Sequence, residues 1–302
     1  MDLQNFFNNK SVIRTGLLAA RAAPQWAGYG LAERVGKLIE QKKPAVYWQL
    51  RENISHIPGT DNEPGELDRI TRQAFINAGR YYYDFYNSIG LPPEAIRDKV
   101  DVPFAVFEEI ERAKSAGRGI QLSGIHLSNF DLGSISLAAH GLTIHGLSAA
   151  NPNEAYEFQN EIRKKYGFIA TPIDTSTLRS AIKRLKDGGI VAGAIDWPHP
   201  EEPTVTEVFG KPAYVPLGTA KLALLTNAVT LILAFYEDAQ GSYKMYISKP
   251  LDPIRTGNKQ QDILVNTRTY MRVFEDFVSR HPDQWMMFHK FWADGAPEEN
   301  EI

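Results

Sequence analysis

The chain has 302 residues, a formal net charge of −3 at pH 7 and no cysteine, so disulfides, a thiolate nucleophile and cysteine-ligated metal sites are excluded. Its content of 43% hydrophobic and 23% charged residues is typical of a soluble globular protein. The slightly negative charge gives no indication of a nucleic-acid partner.

The N-terminal segment interleaves apolar and basic side chains. Residues 1–43 hold seven Lys and Arg against three Asp and Glu. This pattern suits helices that lie in a membrane interface, and it equally suits a helix that packs on the domain and turns its lysines to water. We predict residues 1–45 to be basic amphipathic helices that associate with a membrane. The chain shows no run of the roughly 18–20 apolar residues needed to span a bilayer, and no signal-peptide pattern.

A turn-rich stretch, PGTDNEPG, precedes a series of helices and then an alternation of strands and helices. Helices are predicted at 66–89, at 104–116, from near 129, from caps at Asn153 and Ser176, at 217–227 and at 260–280. Strands are predicted at 119–125, 142–147, 168–173 and 190–195, followed by TLILAFY and YKMYISK.

This alternation favours an α/β fold. We expect a mostly parallel central sheet flanked by helices on both faces, with a helical N-terminal region. The chain is predicted to be one domain of residues 1–302, with an α/β core at 46–292 and an acidic tail at 293–302. In such sheets functional residues gather at the carboxyl ends of the strands.

The stretch GIHLSNFDLG places His126 at such a strand end, five positions before Asp131. If the loop folds the carboxylate back, Asp131 fixes the imidazole tautomer and leaves the other ring nitrogen as a base. In the alternative interpretation, His126 only ends a strand and Asp131 only caps a helix. H-x4-D is a short pattern, and both interpretations stay open on spacing alone.

Further motifs extend the pattern over about 46–292. They are VYWQLRENI with LDRITRQAFINAGRYYYDFY, VFGKPAYVPLGTAKLALLTNAVTLILAF, and FVSRHPDQWMMFHKFW. Together with GIHLSNFDLG they resemble the lysophospholipid acyltransferase superfamily, in the branch of bacterial late lipid A acyltransferases and phosphatidylinositol-mannoside acyltransferases. The chain has Ser-Asn-Phe-Asp at 128–131, where late lipid A enzymes usually have Gly-Asn-Trp-Glu.

The resemblance implies acyl transfer from acyl-CoA or acyl carrier protein to a lipid hydroxyl, by direct attack and without an acyl-enzyme. His126 is then the general base and Asp131 its orienting carboxylate. Asp196, after the strand at 190–195, matches an acidic position that approaches the histidine in the mannoside branch. The remaining candidates for oxyanion or substrate binding are Ser128, Asn129, Glu207, His289 and Lys290.

We expect no resident cofactor and no metal, with the acyl thioester as co-substrate. The expected partners are inner-leaflet membrane lipids, and the expected location is peripheral, on the cytoplasmic face of the cell membrane. Two other functions remain open. One is a thioesterase or lipid hydrolase in which His126 activates water, Ser123 or Ser128, although no G-x-S-x-G elbow is present. The other is a lipid-binding protein that kept the fold and lost turnover.

Overall fold

The N-terminal part of the described protein is a layer of three helices. The computed structural model describes residues 21–148, 154–197 and 204–293. The first helices are α1 (Gln25–Lys42), α2 (Ala45–Ser55) and α3 (Glu66–Ser88). α1 packs closely along α3 because small residues lie between them: a β-carbon on Gly36 would overlap Ile76, and one on Gly79 would overlap Ala32.

A seven-stranded sheet forms the centre of the molecule. The strands in chain order are β1 (Val100–Asp101), β2 (Ile120–Gly124), β3 (Ile144–Ser148), β4 (Phe168–Pro172), β5 (Ile190–Ala194), β6 (Thr204–Val208), β7 (Lys211–Val215), β8 (Val229–Glu237) and β9 (Tyr243–Ile247). The sheet order is β1-β9-β8-β2-β5-β3-β4, and β6 pairs with β7 outside it. Neighbouring strands of the sheet are parallel except β8 and β9.

Helices cover both faces of this sheet. They are α4 (Pro93–Arg97), α5 (Ala105–Ser115), α6 (Phe130–Ala138), α7 (Glu154–Lys165), α8 (Thr175–Lys186), α9 (Gly218–Thr226) and α10 (Lys259–Arg280). On one face Leu122 and Leu231 of the sheet pack in one core with residues of α4 to α7. On the other face Val191 packs with α8 and α9, and Ile232 packs in the core that holds α10. The predicted fold class is therefore confirmed.

Most of the predicted elements agree with the structure to within two residues. The short strand β1, the short helix α4 and the hairpin β6–β7 were not predicted. The hairpin turns at Phe209 and Gly210, which both take positive φ (49° and 71°), and a phenylalanine there gives no ordinary turn signal. The helix α8 is capped by Asp174 and not by Ser176, since the Asp174 carboxylate accepts the Thr177 N–H at 2.7 Å.

Some predictions fall on residues that are not described. These are the cap at Asn153, the first twenty residues and residues 294–302 of the acidic tail. Among the described residues, no helix is both long enough and apolar enough to cross a membrane.

Candidate active site

His126 follows β2 at the carboxyl edge of the sheet, and hydrogen bonds fix its backbone on both sides. Its N–H donates to the Asp196 carboxylate at 2.9 Å. Its carbonyl accepts the N–H of Met286 at 2.7 Å. The ring is only 20% exposed. The imidazole therefore has a fixed position where the strand ends.

Asp196 is the hydrogen-bonded partner of the His126 ring. β2 and β5 are parallel neighbours with Gly124 opposite Ala194, so residues two positions beyond each strand meet at one edge. His126 Nδ1 lies 2.7 Å from Asp196 Oδ1. A carboxylate only accepts hydrogen bonds, so Nδ1 carries the proton and Nε2 keeps its lone pair. Asp196 has no exposed surface, and Trp285 Nε1 donates to its Oδ2 at 3.0 Å.

The electrostatic environment makes His126 more basic than an ordinary histidine. Burial favours the neutral ring, but the carboxylates of Asp196 and Asp131 outweigh burial and raise the pKa of His126. The neighbouring His289 differs, because burial and the nearby His126 both lower its pKa. The two imidazoles are therefore shifted in opposite directions, with His126 the stronger base.

Asp131 does not occupy the orienting position predicted from H-x4-D. Its carboxylate accepts two hydrogen bonds from Arg163, one from Nε at 3.0 Å and one from Nη2. Asp131 lies in the first turn of α6, where α7 brings Arg163 against it, so the carboxylate is drawn to the guanidinium. It acts on His126 through its charge and not through a described hydrogen bond.

Arg163 is a site residue that the sequence reasoning missed. Arg163 belongs to the basic run Arg163-Lys164-Lys165, which suggests a solvated helix face, yet Arg163 is only 5% exposed. It lies beside the buried Ile162 on the inner side of α7, which is a weak signal of burial in the sequence. Lys164 and Lys165 are exposed, as a solvated face requires.

Ser128 and Asn129 hold the loop in shape. Ser128 takes a positive φ of 53° and donates its N–H to the carbonyl of Gln284 at 2.7 Å. Asn129 caps α6 by accepting the Leu132 N–H at 3.2 Å, and its amide donates to the Tyr81 carbonyl at 3.0 Å. The Ser128 N–H and the Asn129 side chain are therefore engaged in structural hydrogen bonds.

Aromatic rings surround His126 at the surface. The Trp197 ring centre lies 5.1 Å from that of His126 and 4.4 Å from that of His289. His289 is thus brought to the site, and the adjacent Lys290 is exposed. Glu207 is exposed on β6 opposite Pro212, and the His126 ring has its hydrogen bond with Asp196 and not with Glu207.

An apolar cleft of about 120 Å³ opens beside His126. The strand register places two rows of side chains across the sheet, and the inner row is bulkier than the outer row. The inner row is Ile120, Ile190, Ile144 and Phe168; the outer row is Leu122, Ala192, Gly146 and Ala170. The whole outer row lines the cleft, together with Ile144 and Phe168 of the inner row. The ring of Phe168 lies over Gly146, where a β-carbon would meet it at 2.5 Å.

The aromatic residues of α3 do not line this cleft. Tyr81 and Phe85 of α3 are buried in the core, and the cleft takes its aromatic rings from Phe130, Tyr156 and Phe235 besides Phe168. The i, i+4 spacing of the α3 aromatics reflects packing of that helix. No group of three His, Asp or Glu suited to a metal ion occurs within residues 21–148, 154–197 and 204–293.

The family model for bacterial lipid A biosynthesis acyltransferases matches residues 10–294 of the chain. The chain belongs to this family. It is an acyltransferase of lipid biosynthesis, as the sequence motifs predicted. Two curated relatives are the phosphatidylinositol mannoside acyltransferases of Mycobacterium tuberculosis strains CDC 1551 and H37Rv. Each is 22% identical over 289 residues, which is 94% of this chain and 88% of the relative.

Proposed function

We propose that this acyltransferase moves a fatty acyl group from an acyl thioester, acyl-CoA or acyl carrier protein, to a hydroxyl of a membrane lipid or glycolipid. The observation that carries the proposal is the His126–Asp196 pair at the mouth of an apolar cleft. The pair supplies a base whose free nitrogen is Nε2. The cleft supplies an apolar surface for a hydrocarbon chain. The family membership and the mycobacterial relatives support a lipid acceptor.

The proposed chemistry is direct transfer. Nε2 of His126 takes the proton of the acceptor hydroxyl while its oxygen attacks the thioester carbonyl carbon. The tetrahedral intermediate then expels the thiolate, which leaves as a thiol with the proton from the imidazolium. Asp196 stabilises the imidazolium through Nδ1–H, as a buried carboxylate does in a triad.

Direct attack is favoured over a covalent intermediate by the burial of the nearby serines. Ser123 and Ser128 are each 1% exposed, so neither hydroxyl faces a substrate. Positive potential for the developing oxyanion comes from the N-terminus of α6. Water can replace the acceptor, and slow thioester hydrolysis is the expected side reaction.

The exposed face of α1 supports docking on a membrane. Leu31, Val35 and Leu38 lie on one side of this helix and are exposed by 61%, 44% and 52%. Arg34 and Lys42 share that side. The opposite side, with Ala32 and Gly36, is buried against α3. An apolar stripe bordered by basic residues fits the surface of an anionic bilayer. We propose peripheral association on the cytoplasmic face, where the acyl thioester is available.

The test is product identification. Purified protein is incubated with radiolabelled acyl-CoA or acyl carrier protein and a panel of lipid extracts, and the labelled lipid is identified. His126→Ala should lower transfer by about 10²–10⁴-fold and leave donor binding intact. His140→Ala is the matched control, because this histidine packs on Phe107 away from the cleft. Equal transfer by wild type and His126→Ala would refute the mechanism, and release of free fatty acid alone would indicate a hydrolase.

A further inference from the structure

We propose that Trp285 is a positioning residue whose indole N–H holds the Asp196 carboxylate in the orientation that aims Oδ1 at His126. This role rests on the proposed function, in which His126 is the base. Trp285 touches no reacting atom, and it acts through Asp196.

The hydrogen bonds of Asp196 divide between its two oxygens. Oδ2 accepts the Trp285 indole N–H at 3.0 Å and the His126 backbone N–H at 2.9 Å. Oδ1 accepts Nδ1 of the His126 ring at 2.7 Å. Two donors on Oδ2 fix the plane of the carboxylate, so Oδ1 is left pointing at the imidazole. Asp196 and Trp285 both have no exposed surface, so water does not substitute for either donor.

The indole is itself held by the chain that carries it. The segment 284–286 runs antiparallel to 126–128, with Leu127 opposite Trp285. Ser128 N–H donates to the Gln284 carbonyl, and Met286 N–H donates to the His126 carbonyl, both at 2.7 Å. The Trp285 ring packs edge-on against Phe274 and Phe291 at 5.4 and 5.1 Å. The same short strand pair therefore places the histidine and the tryptophan that positions its partner.

Loss of the indole N–H changes the charge that His126 faces. A donor shares the negative charge of a buried carboxylate, and in a low dielectric this effect is large. Without it, Asp196 interacts more strongly with the imidazolium and is freer to rotate. Protonated His126 is stabilised, and the neutral base forms only at higher pH. The acid limb of the pH–rate profile should move upward.

The experiment compares Trp285→Phe with Trp292→Phe. Trp292 is a matched control, because it is also buried and donates its Nε1–H to a carbonyl, that of Asn53, at 3.1 Å. We expect Trp285→Phe to lower kcat about tenfold and to raise the apparent pKa of the acid limb of kcat/KM by about 0.5–1 unit. Trp292→Phe should leave that pKa at the wild-type value. Equal pH profiles for Trp285→Phe and wild type would overturn the proposal.

Two further measurements test the proposal if Trp285→Phe folds poorly. They also distinguish a failure of this proposal from a failure of the proposed function. Replacing Trp285 by benzothienylalanine puts sulfur in place of the N–H and keeps the ring, so it should shift the acid limb as Trp285→Phe does. An NMR titration of ¹⁵N-labelled His126 reads the same pKa without turnover. An upward shift in that titration supports the role of Trp285 even if no acyl transfer is found, and an unchanged pKa refutes it.

Discussion

At the scale of single residues, the site depends on which carboxylate reaches the imidazole. Asp196 contacts the His126 ring, and Asp131 pairs with Arg163. Asp196 and Asp131 therefore have different roles in the site. Asp196 fixes the tautomer of the base. Asp131 neutralises a buried guanidinium and adds negative potential at His126.

Substituting each of these two aspartates by asparagine should distinguish their roles. Asp196→Asn removes the charge that supports the imidazolium, and we expect kcat/KM to fall by about 10³–10⁴-fold. Asp131→Asn leaves the buried Arg163 without its counter-charge, and we expect the free energy of unfolding to fall by about 3–5 kcal/mol. Steady-state kinetics and urea denaturation of both variants provide the comparison. The assignment is wrong if Asp131→Asn unfolds like wild type and Asp196→Asn retains its activity.

At the scale of elements, the cleft arises from side chains that alternate in size across parallel strands. Residues opposite each other on β2, β5, β3 and β4 form rows, and the row with Gly146 and Ala170 is smaller than the row with Ile144 and Phe168. The step between the rows leaves a trough across the sheet. Phe168 lies on the edge strand β4 with its ring over Gly146, which places it at one end of the trough.

Opening this end should change the preferred acyl chain. Phe168→Ala removes the ring over Gly146 and makes room for a longer acyl chain. For donors two carbons longer than the wild type prefers, kcat/KM should rise about tenfold, because each buried methylene contributes about 0.8 kcal/mol. The neighbouring Ile169→Ala is the control, because successive strand residues face opposite sides of the sheet. Kinetics with a series of acyl-CoA lengths provide the readout. If Phe168→Ala leaves the dependence of kcat/KM on acyl-CoA length unchanged, the acyl chain does not bind at this end of the trough.

At the scale of the whole molecule, the N-terminal helices and the catalytic edge are linked through the C-terminal segment. The Asn53 amide on α2 donates to the carbonyls of Met287 and His289, each at 2.7 Å. That segment continues from Trp285 and Met286, which contact Asp196 and His126. The helical layer proposed to meet the membrane is therefore joined by hydrogen bonds to the loop that holds the base.

Removing the apolar stripe of α1 should weaken membrane binding and spare catalysis. Leu31→Ser combined with Leu38→Ser removes two side chains that would enter the interface, and we expect affinity for phosphatidylglycerol vesicles to fall by at least tenfold. Phe104→Ser is the control, since Phe104 is 73% exposed at the start of α5. Vesicle sedimentation measures binding, and transfer to a soluble short-chain acceptor measures activity. Equal loss of vesicle binding in the control variant would contradict the assigned face.

Periodicity in the sequence by itself determined the α/β class, most strand and helix positions, and the location of His126 at a strand end. These features follow from local patterns, because apolar spacing and breakers act over a few residues. The motifs were also local, and they led to the acyltransferase family that the comparison confirmed.

Only the tertiary structure decided which of the two predicted carboxylates, Asp196 or Asp131, bonds the His126 ring. Asp196 lies 70 positions from His126, and Trp285 lies 89 positions from Asp196. Their contacts depend on β5 pairing beside β2 and on the C-terminal segment closing over the loop. Asp131 pairs with Arg163 instead of the imidazole because the packing of α7 against α6 brings the two residues together. Spacing along the sequence indicates the distance between two residues only when they lie in the same helix or strand. Between elements, the order and register of the strands determine that distance.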